Sequence, residues 1–191
     1  MSCIKQIAEV IAPDCEDPKI AGYSERAVIY GIDEISSLVI TTSSSNPASI
    51  NDISFAPDID ELGVRCTIYG ENPYNGTNTA LTREDGVERY IHQVGLRVAN
   101  RGSDRGHDII EPLARGRHVV VQLTNDNRVF IHGLHGVLKA TEQTQNEYEN
   151  NGDWMVTLQS KEPYPVVEVV GSGQHIALET FERLWSKASQ E

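Results

Sequence analysis

Histidines, carboxylates and one serine are the side chains whose types and spacing could support chemistry in this chain. His132 and His135 are the best candidates for binding a metal ion. Side chains alternate between the two faces of a strand, so residues three apart point in opposite directions and do not share one ion. The sequence therefore favours ordinary structural histidines and predicts neither a bound metal nor a cofactor.

Two further groups have suitable residue types but lack the arrangement that the chemistry needs. The acidic turn 58–61 has three carboxylates without the ligand spacing and central glycine of a calcium loop. Ser103, Asp104 and His107 are close in the chain, but their order and context do not match a catalytic triad. No phosphate-binding loop, dinucleotide fingerprint or nucleophile elbow is present. We therefore do not expect an enzyme.

Length and composition favour one globular domain with an acidic surface. The chain has 191 residues, of which 39% are hydrophobic and only 6% aromatic, so valine, isoleucine and leucine must form its core. The formal net charge is -12. Such a surface repels nucleic acid at long range. The acidic surface either keeps the protein soluble or forms a surface along which DNA passes without binding.

The three cysteines and the distribution of apolar residues indicate the cellular compartment in which the protein folds. Cys3, Cys15 and Cys66 are odd in number and match no zinc-binding spacing, so we expect reduced thiols in a protein that folds in cytoplasm. No apolar segment is long enough for a membrane span or a secretory signal.

The segment 118–170 organises the predicted fold as strands joined by turns. Residues 118–123 alternate with the two-residue period of a pleated strand, and the Asn/Asp-rich turn 125–127 returns the chain into 128–134. The remaining predicted strands are 27–32, 38–42, 50–55, 64–69, 87–99, 154–159 and 166–170.

The segment 70–86 is the longest irregular stretch and is rich in glycine and asparagine. A loop of this length in a compact domain is usually functional or mobile. Its place between two predicted strands indicates an extended hairpin tip that can lie on another molecule. We therefore predict subunit contacts by Asn72, Pro73, Tyr74 and Asn75.

Three helices are expected, at 4–11, 108–115 and 175–187. Asp108 and Glu111 have the spacing of a capping box, and Pro112 is an irregularity within that helix. The C-terminal helix has an apolar stripe that includes Phe181 and Trp185. Such a stripe must be covered, either by the chain's own sheet or by a neighbouring subunit. Phe181 and Trp185 are therefore also candidate interface residues.

Five arginines form the one basic neighbourhood, namely Arg97, Arg101, Arg105, Arg115 and Arg117. No aromatic residues alternate with them to stack on bases, so the pattern is weak for nucleic-acid binding. One interpretation is that these arginines form a solvated face. The other is a surface complementary to acidic loops on another copy, as a head-to-tail interface requires. Arg101 and Arg105 are the candidates for that interface.

Three sequence signatures resemble structural proteins of tailed phages and prophages that infect Bacteroidetes-type bacteria. The first combines two N-terminal cysteines with AVIYGIDEI. The second is a strand and a short helix ending in LARG, followed by VVVQLTNDNRVFIHGLHG. The third is NGDWMVTLQSKEPYPVVEV, and the last two together span residues 87–170. The C-terminal helix is an addition to this pattern.

The resemblance implies a tail tube-like subunit that forms stacked rings around a DNA-conducting channel. We accordingly predict a mainly β protein, a β-sandwich or barrel with a short flanking helix, an extended hairpin loop and a C-terminal helix. Residues 1–20 would be an N-terminal arm, 21–170 the domain and 171–191 a helical extension. Its partners would be copies of itself and other tail or connector proteins in the virion, with DNA only as passing cargo. A head-to-tail connector, a capsid accessory protein and a soluble β-barrel binding module are the alternatives.

Overall fold

The computed structural model describes ten stretches of the chain: 23–35, 38–42, 49–55, 62–67, 76–84, 86–98, 110–124, 127–145, 153–170 and 174–188. The predicted N-terminal helix 4–11, the acidic turn 58–61 and the segment 103–107 lie outside the described residues.

Within these stretches the secondary structure consists mostly of strands, so the predicted mainly β fold class is confirmed. The elements in chain order are β1 (Tyr23–Gly31), α1 (Ile32–Ile35), β2 (Leu38–Thr42), β3 (Ser49–Phe55), β4 (Val64–Thr67), β5 (Gly76–Glu84), β6 (Val87–Val98), α2 (Glu111–Arg115), β7 (His118–Thr124), β8 (Val129–His132), β9 (Lys139–Gln145), β10 (Trp154–Glu162), β11 (Val167–Val169) and α3 (Gln174–Lys187).

The strands form two sheets. A seven-stranded sheet has the order β2-β3-β11-β8-β7-β1-β4, and a four-stranded sheet has the order β5-β6-β10-β9. All neighbours are antiparallel except β3 and β11, which are parallel. A long connection joins those two strands, as a parallel pair requires.

Strand β7 lies at the centre of the molecule, and all seven of its residues are buried. Val119, Val121 and Leu123 belong to one apolar cluster, whereas Val120 belongs to a second cluster on the opposite face. Successive side chains of a strand point to opposite faces. The seven-stranded sheet is therefore a middle layer, with α3 on one face and the four-stranded sheet on the other.

The face covered by α3, which we call the helix face, contains an apolar core. Phe181 and Leu184 of the helix are fully buried against Ile53, Val121 and Ile131 of the sheet. Of the two expected ways to cover the apolar stripe of the C-terminal helix, the structure shows docking on the chain's own sheet. The opposite face, which we call the sheet face, packs Val120 against residues of the four-stranded sheet. Those residues include Val94, Leu96, Val156 and Leu158.

The prediction that residues 70–86 are irregular is wrong for residues 76–84, because these residues form β5. This strand pairs with β6 in nine consecutive residue pairs, from Gly76 opposite Gly95 to Glu84 opposite Val87. Gly86, with φ +78°, provides the left-handed residue of the connecting turn. The sequence did not predict this strand because its composition is polar, and an edge strand that faces water needs no apolar alternation.

The predicted short helix is confirmed for 111–115 only. Ile110 is its N-cap and makes no side-chain capping bond, while Pro112 lies in the first turn. Proline is well suited to that turn, because its missing N–H has no acceptor there in any helix. Asp108 lies outside the described residues. Strand β9 and the single-turn helix α1 were not predicted from the sequence.

Candidate functional site

The structure separates the two histidines that were the best candidates for a metal site. His132 ends β8 and is 2% exposed, whereas His135 lies in the following turn and is exposed. Their side chains occupy different environments because the strand ends at His132 and His135 lies in the turn beyond it, not because of strand alternation. Among the described residues, no group of three or more histidine, cysteine, aspartate and glutamate side chains could hold a metal ion.

The neighbour of His132 is His92, in the middle of β6. The two ring centroids are 5.8 Å apart and the rings are nearly perpendicular, at 81°. Both side chains are almost fully buried. The pair spans the two sheets, because His132 belongs to the seven-stranded sheet and His92 to the four-stranded sheet. Alternation places His92 on the inner face of β6, but nothing in the sequence indicates which residue it meets.

The ring of His92 makes two hydrogen bonds, one to the turn after β8 of the seven-stranded sheet and one to the connection between β10 and β11. Its Nε2–H donates to the carbonyl oxygen of Tyr164 at 3.2 Å, and its Nδ1 accepts from the N–H of Gly133 at 3.5 Å. A carbonyl can only accept, so Nε2 carries the proton and Nδ1 is free to accept. His92 is therefore a neutral ring in a fixed tautomer.

His132 has the same burial, but both of its ring nitrogens are buried without a hydrogen-bond partner among the described residues. Burial, reinforced by the neighbouring His92, lowers the pKa of His132 to about 3. Burial also lowers the pKa of His92. Both rings are consequently neutral at pH 7, and neither is exposed enough to exchange protons with an external substrate.

A buried carboxylate beside the histidines fixes the turn that follows β8. Glu162 is 1% exposed and accepts hydrogen bonds from the backbone N–H groups of His135 and Gly136. It also accepts one from the hydroxyl of Ser160 at 2.9 Å. Charge-assisted bonds of this kind are stronger than neutral ones. Glu162 on β10 therefore ties the turn 133–136 of one sheet to the other sheet.

The same turn contains backbone strain. Val137 has φ +53°, a left-handed conformation that is an outlier for a β-branched residue. Gly133 has φ +80°, and a Cβ there would lie 2.6 Å from Cγ of Leu138. The turn is closed by a 3.0 Å hydrogen bond from the N–H of Val137 to the Gly133 carbonyl. The bonds to Glu162 thus stabilise a turn that is locally unfavourable.

A third histidine belongs to the same face of the sheet. His118 begins β7, and its Nε2–H lies 3.2 Å from the carbonyl of Pro112 and 3.3 Å from that of Leu113. It thus satisfies carbonyl groups at the end of α2. Burial lowers the pKa of this imidazole as well. His118, His92 and His132 are all on the sheet face, so that layer is polar as well as buried.

The edges of the four-stranded sheet form a second candidate site, this time for assembly. Strand β5 is the outermost strand on one side and pairs with β6 without any register shift. Strand β9 is outermost on the other side, and its pairing with β10 shifts register at Leu158. Bulges and charges protect edges from pairing with other chains. The regular edge of β5 has no bulge.

The end of the β5–β6 hairpin extends past the rest of its sheet. Strand β10 pairs with β6 only as far as Tyr90, whereas β5 continues for three more pairs to Glu84 opposite Val87. Three pairs span roughly 10 Å at the usual rise of a strand. Leu81 and Val87 are 57% and 50% exposed at this end. The structure therefore has a projecting two-stranded tip with exposed apolar side chains.

Most residues predicted to contact other subunits lie outside the described residues, namely Asn72, Pro73, Tyr74, Asn75, Arg101 and Arg105. The structure places Phe181 and Trp185 on α3, with parallel rings whose centroids are 6.0 Å apart. Phe181 is fully buried in its own chain, while Trp185 is half-buried beside the guanidinium groups of Arg26 and Arg65. Their contact with a second subunit stays a prediction.

The basic neighbourhood is only partly described. Arg115 and Arg117 are exposed, and Arg115 forms an ion pair with Glu111 one helical turn away, at 2.9 Å. An exposed pair of this kind contributes little to stability. The structure does not describe the side chain of Arg97, so the arrangement of the five arginines is still a prediction.

No protein-family model, curated protein or solved structure matches this chain. In the part of the chain that the structure describes, no helix is long and apolar enough to cross a membrane.

Proposed function

We propose that the protein is a self-assembling ring or tube subunit of a phage tail whose channel conducts DNA. The observation that carries the proposal is the long, regular edge of β5, which continues into an exposed hairpin tip. Outward-facing backbone N–H and C=O groups along the edge of a sheet can in general pair with a strand of another chain. The resemblance of residues 87–170 to tail proteins supports the same function.

The topology of the four-stranded sheet suits a repeating contact between copies. Its order β5-β6-β10-β9 is antiparallel throughout, so the two edge strands run in opposite directions. The β5 edge of one copy can therefore pair antiparallel with the regular end of β9, residues 142–145, on the next copy. The two edges differ, which makes the contact head-to-tail, and head-to-tail contacts close into rings or continue as filaments.

The projecting tip gives each subunit a way to reach a further copy. Leu81 lies opposite Tyr90 and is more than half exposed, although its position in the ladder places it on the inner side of the sheet. A side chain of this size gains roughly 1.5–3 kcal/mol when it is fully buried. The net charge of -12 fits a channel that repels passing DNA. We propose that the channel-lining residues are mainly acidic.

The proposal is tested by Leu81→Lys, with Val170→Lys as the matched control. Val170 is 43% exposed and lies after β11 in the seven-stranded sheet, away from β5. A lysine on an edge strand opposes pairing with another strand. We expect wild type and Val170→Lys to form rings or tubes in negative-stain images, and Leu81→Lys to stay monomeric by light scattering with an unchanged Tm.

Four results would count against the proposal or one of its parts. A wild-type protein that stays monomeric at high concentration would favour the soluble binding module. A closed dimer would indicate pairing of β5 with β5, which builds neither ring nor tube. Normal tubes from Leu81→Lys would exclude the β5 edge as the contact. Rings that do not stack would favour the head-to-tail connector.

A further inference from the structure

We propose that the His92–His132 pair is an acid-sensitive lock between the two sheets, which holds while both rings are neutral and opens when they bind protons. The lock acts within one chain and is independent of the proposed assembly.

The position of the pair makes it a lock. His92 on β6 and His132 on β8 face each other where the two sheets meet, 5.8 Å apart between ring centroids. His92 also accepts a hydrogen bond from the N–H of Gly133 in the turn after β8, and this bond joins the two sheets. The Nδ1 of His92 accepts a hydrogen bond only while it has no proton. Protonation of His92 would therefore turn this cross-sheet bond into a clash of two donors.

The surroundings of His132 have no place for a positive charge. An imidazolium has two N–H donors, and both nitrogens of His132 are buried with no partner in the described structure. Its pairing partner on β7 is Val120, which offers an apolar side chain. Burying an unpaired charge costs several kcal/mol. The protonated ring must therefore reach water, and it can do so only if the sheets separate.

The titratable groups around the pair come from β6, β10 and the turn after β8. Charges on His92 and His135 oppose a proton on their neighbours, whereas Glu162 favours one on His92. Glu162 is already an acceptor for His135, Gly136 and Ser160. It therefore cannot turn to compensate a charge on His132 without releasing the turn 133–136.

The direction of the pH effect follows from the different pKa values of His132 in the folded and the unfolded chain. The pKa of His132 is about 3 in the folded protein and 6.5 in an ordinary solvated histidine. Between these values the unfolded chain binds a proton that the folded chain does not bind. Stability is therefore complete above about pH 6.5 and decreases as the pH falls towards 3.

The test compares urea unfolding of wild type, His132→Phe and the exposed control His135→Ala between pH 8 and pH 4.5. Because the pKa of His132 is about 3 in the folded protein, this histidine raises the unfolding equilibrium constant about tenfold per pH unit between pH 6.5 and pH 4.5. His92 and His118 contribute in all three proteins, so only the difference between proteins reports on His132. We expect His132→Phe to lose about tenfold per pH unit of this dependence, and His135→Ala to keep it.

Hydrogen exchange tests whether the sheets separate at this place. We expect acid to reduce amide protection first in β6, β10 and the turn 133–136, while α3 and strands β1, β3 and β7 beneath it stay protected. Equal pH dependence in wild type and His132→Phe would overturn the proposal, as would simultaneous loss of protection on both faces. Should His132→Phe fail to fold, NMR titration of the wild-type imidazole decides, because a His132 that titrates near 6.5 is incompatible with the lock.

Discussion

The two faces of the seven-stranded sheet are built from different chemistry. The helix face buries mainly valine, isoleucine, leucine and phenylalanine side chains; its buried polar groups include the hydroxyl of Tyr30, which has no hydrogen-bond partner among the described residues, and Thr180, which donates a hydrogen bond to Asp52. The sheet face buries a polar set among its apolar residues. That set consists of His92, His118, Gln122, Thr124, His132, Ser160 and Glu162.

The two faces are held together by different kinds of interaction. Apolar packing on the helix face is non-directional, and its strength follows the area removed from water, independent of pH. Hydrogen bonds on the sheet face are directional, and a missing partner there leaves a buried polar group at a cost of about 1–3 kcal/mol. The helix face therefore supplies stability, whereas the sheet face fixes how the two sheets are aligned and makes that alignment sensitive to protons.

The largest expected effect is on the helix face, from Phe181→Ala. Phe181 is fully buried and also contacts Trp185 and the guanidinium of Arg26. Truncation of a buried phenylalanine costs about 3–5 kcal/mol. We expect a loss of this size in urea unfolding, equal at pH 8 and pH 5.

Leu178→Ala is the control for that variant, since Leu178 is only half-buried in the same cluster and should lose less. A Phe181→Ala protein as stable as wild type when monomeric, but unable to assemble, would show that the helix packs on another subunit instead.

An intermediate effect is expected on the sheet face from Glu162→Gln. The amide keeps the size of the side chain but has one acceptor oxygen, so its NH₂ group must face a donor that the carboxylate now accepts. We expect a loss of about 2–3 kcal/mol, together with faster hydrogen exchange at the amides of His135 and Gly136. The comparison variant Glu168→Gln affects a half-exposed ion pair with Arg128, at 2.7 Å, and should cost no more than about 1 kcal/mol.

Hydrogen exchange discriminates between local and general effects of Glu162→Gln. Unchanged protection at residues 135 and 136 would mean that the carboxylate does not hold the turn, whatever happens to overall stability.

The smallest expected effect is a gain, from Val137→Gly. A left-handed conformation costs a β-branched residue roughly 1–2 kcal/mol, and glycine adopts it freely. Part of this gain is offset by the greater entropy of glycine in the unfolded chain, so we expect about 0.5–1 kcal/mol of added stability by thermal unfolding. Val166→Gly, at a position without positive φ, should instead lose stability. A destabilised Val137→Gly would show that side-chain packing at Val137 outweighs its backbone strain.

The sequence by itself determined the elements whose pattern is local. The two-residue alternation of 118–123 and the Asn/Asp turn after it predict β7 and β8, and the structure has both. The apolar stripe of the C-terminal helix predicts α3, and the structure has it, docked on the chain's own sheet. In each case the side chains that specify the element are neighbours along the chain, so their spacing is sufficient to find it.

Only the tertiary structure decided which surfaces meet. Strand β5 has the polar composition of a loop and is a strand because β6 supplies its hydrogen-bond partners. His92 lies forty residues before His132, and no periodicity connects them; the stacking of two sheets brings their rings together. Contacts of this kind depend on how whole layers pack and not on the preferences of neighbouring residues, which is why the polar layer could not be predicted from the sequence.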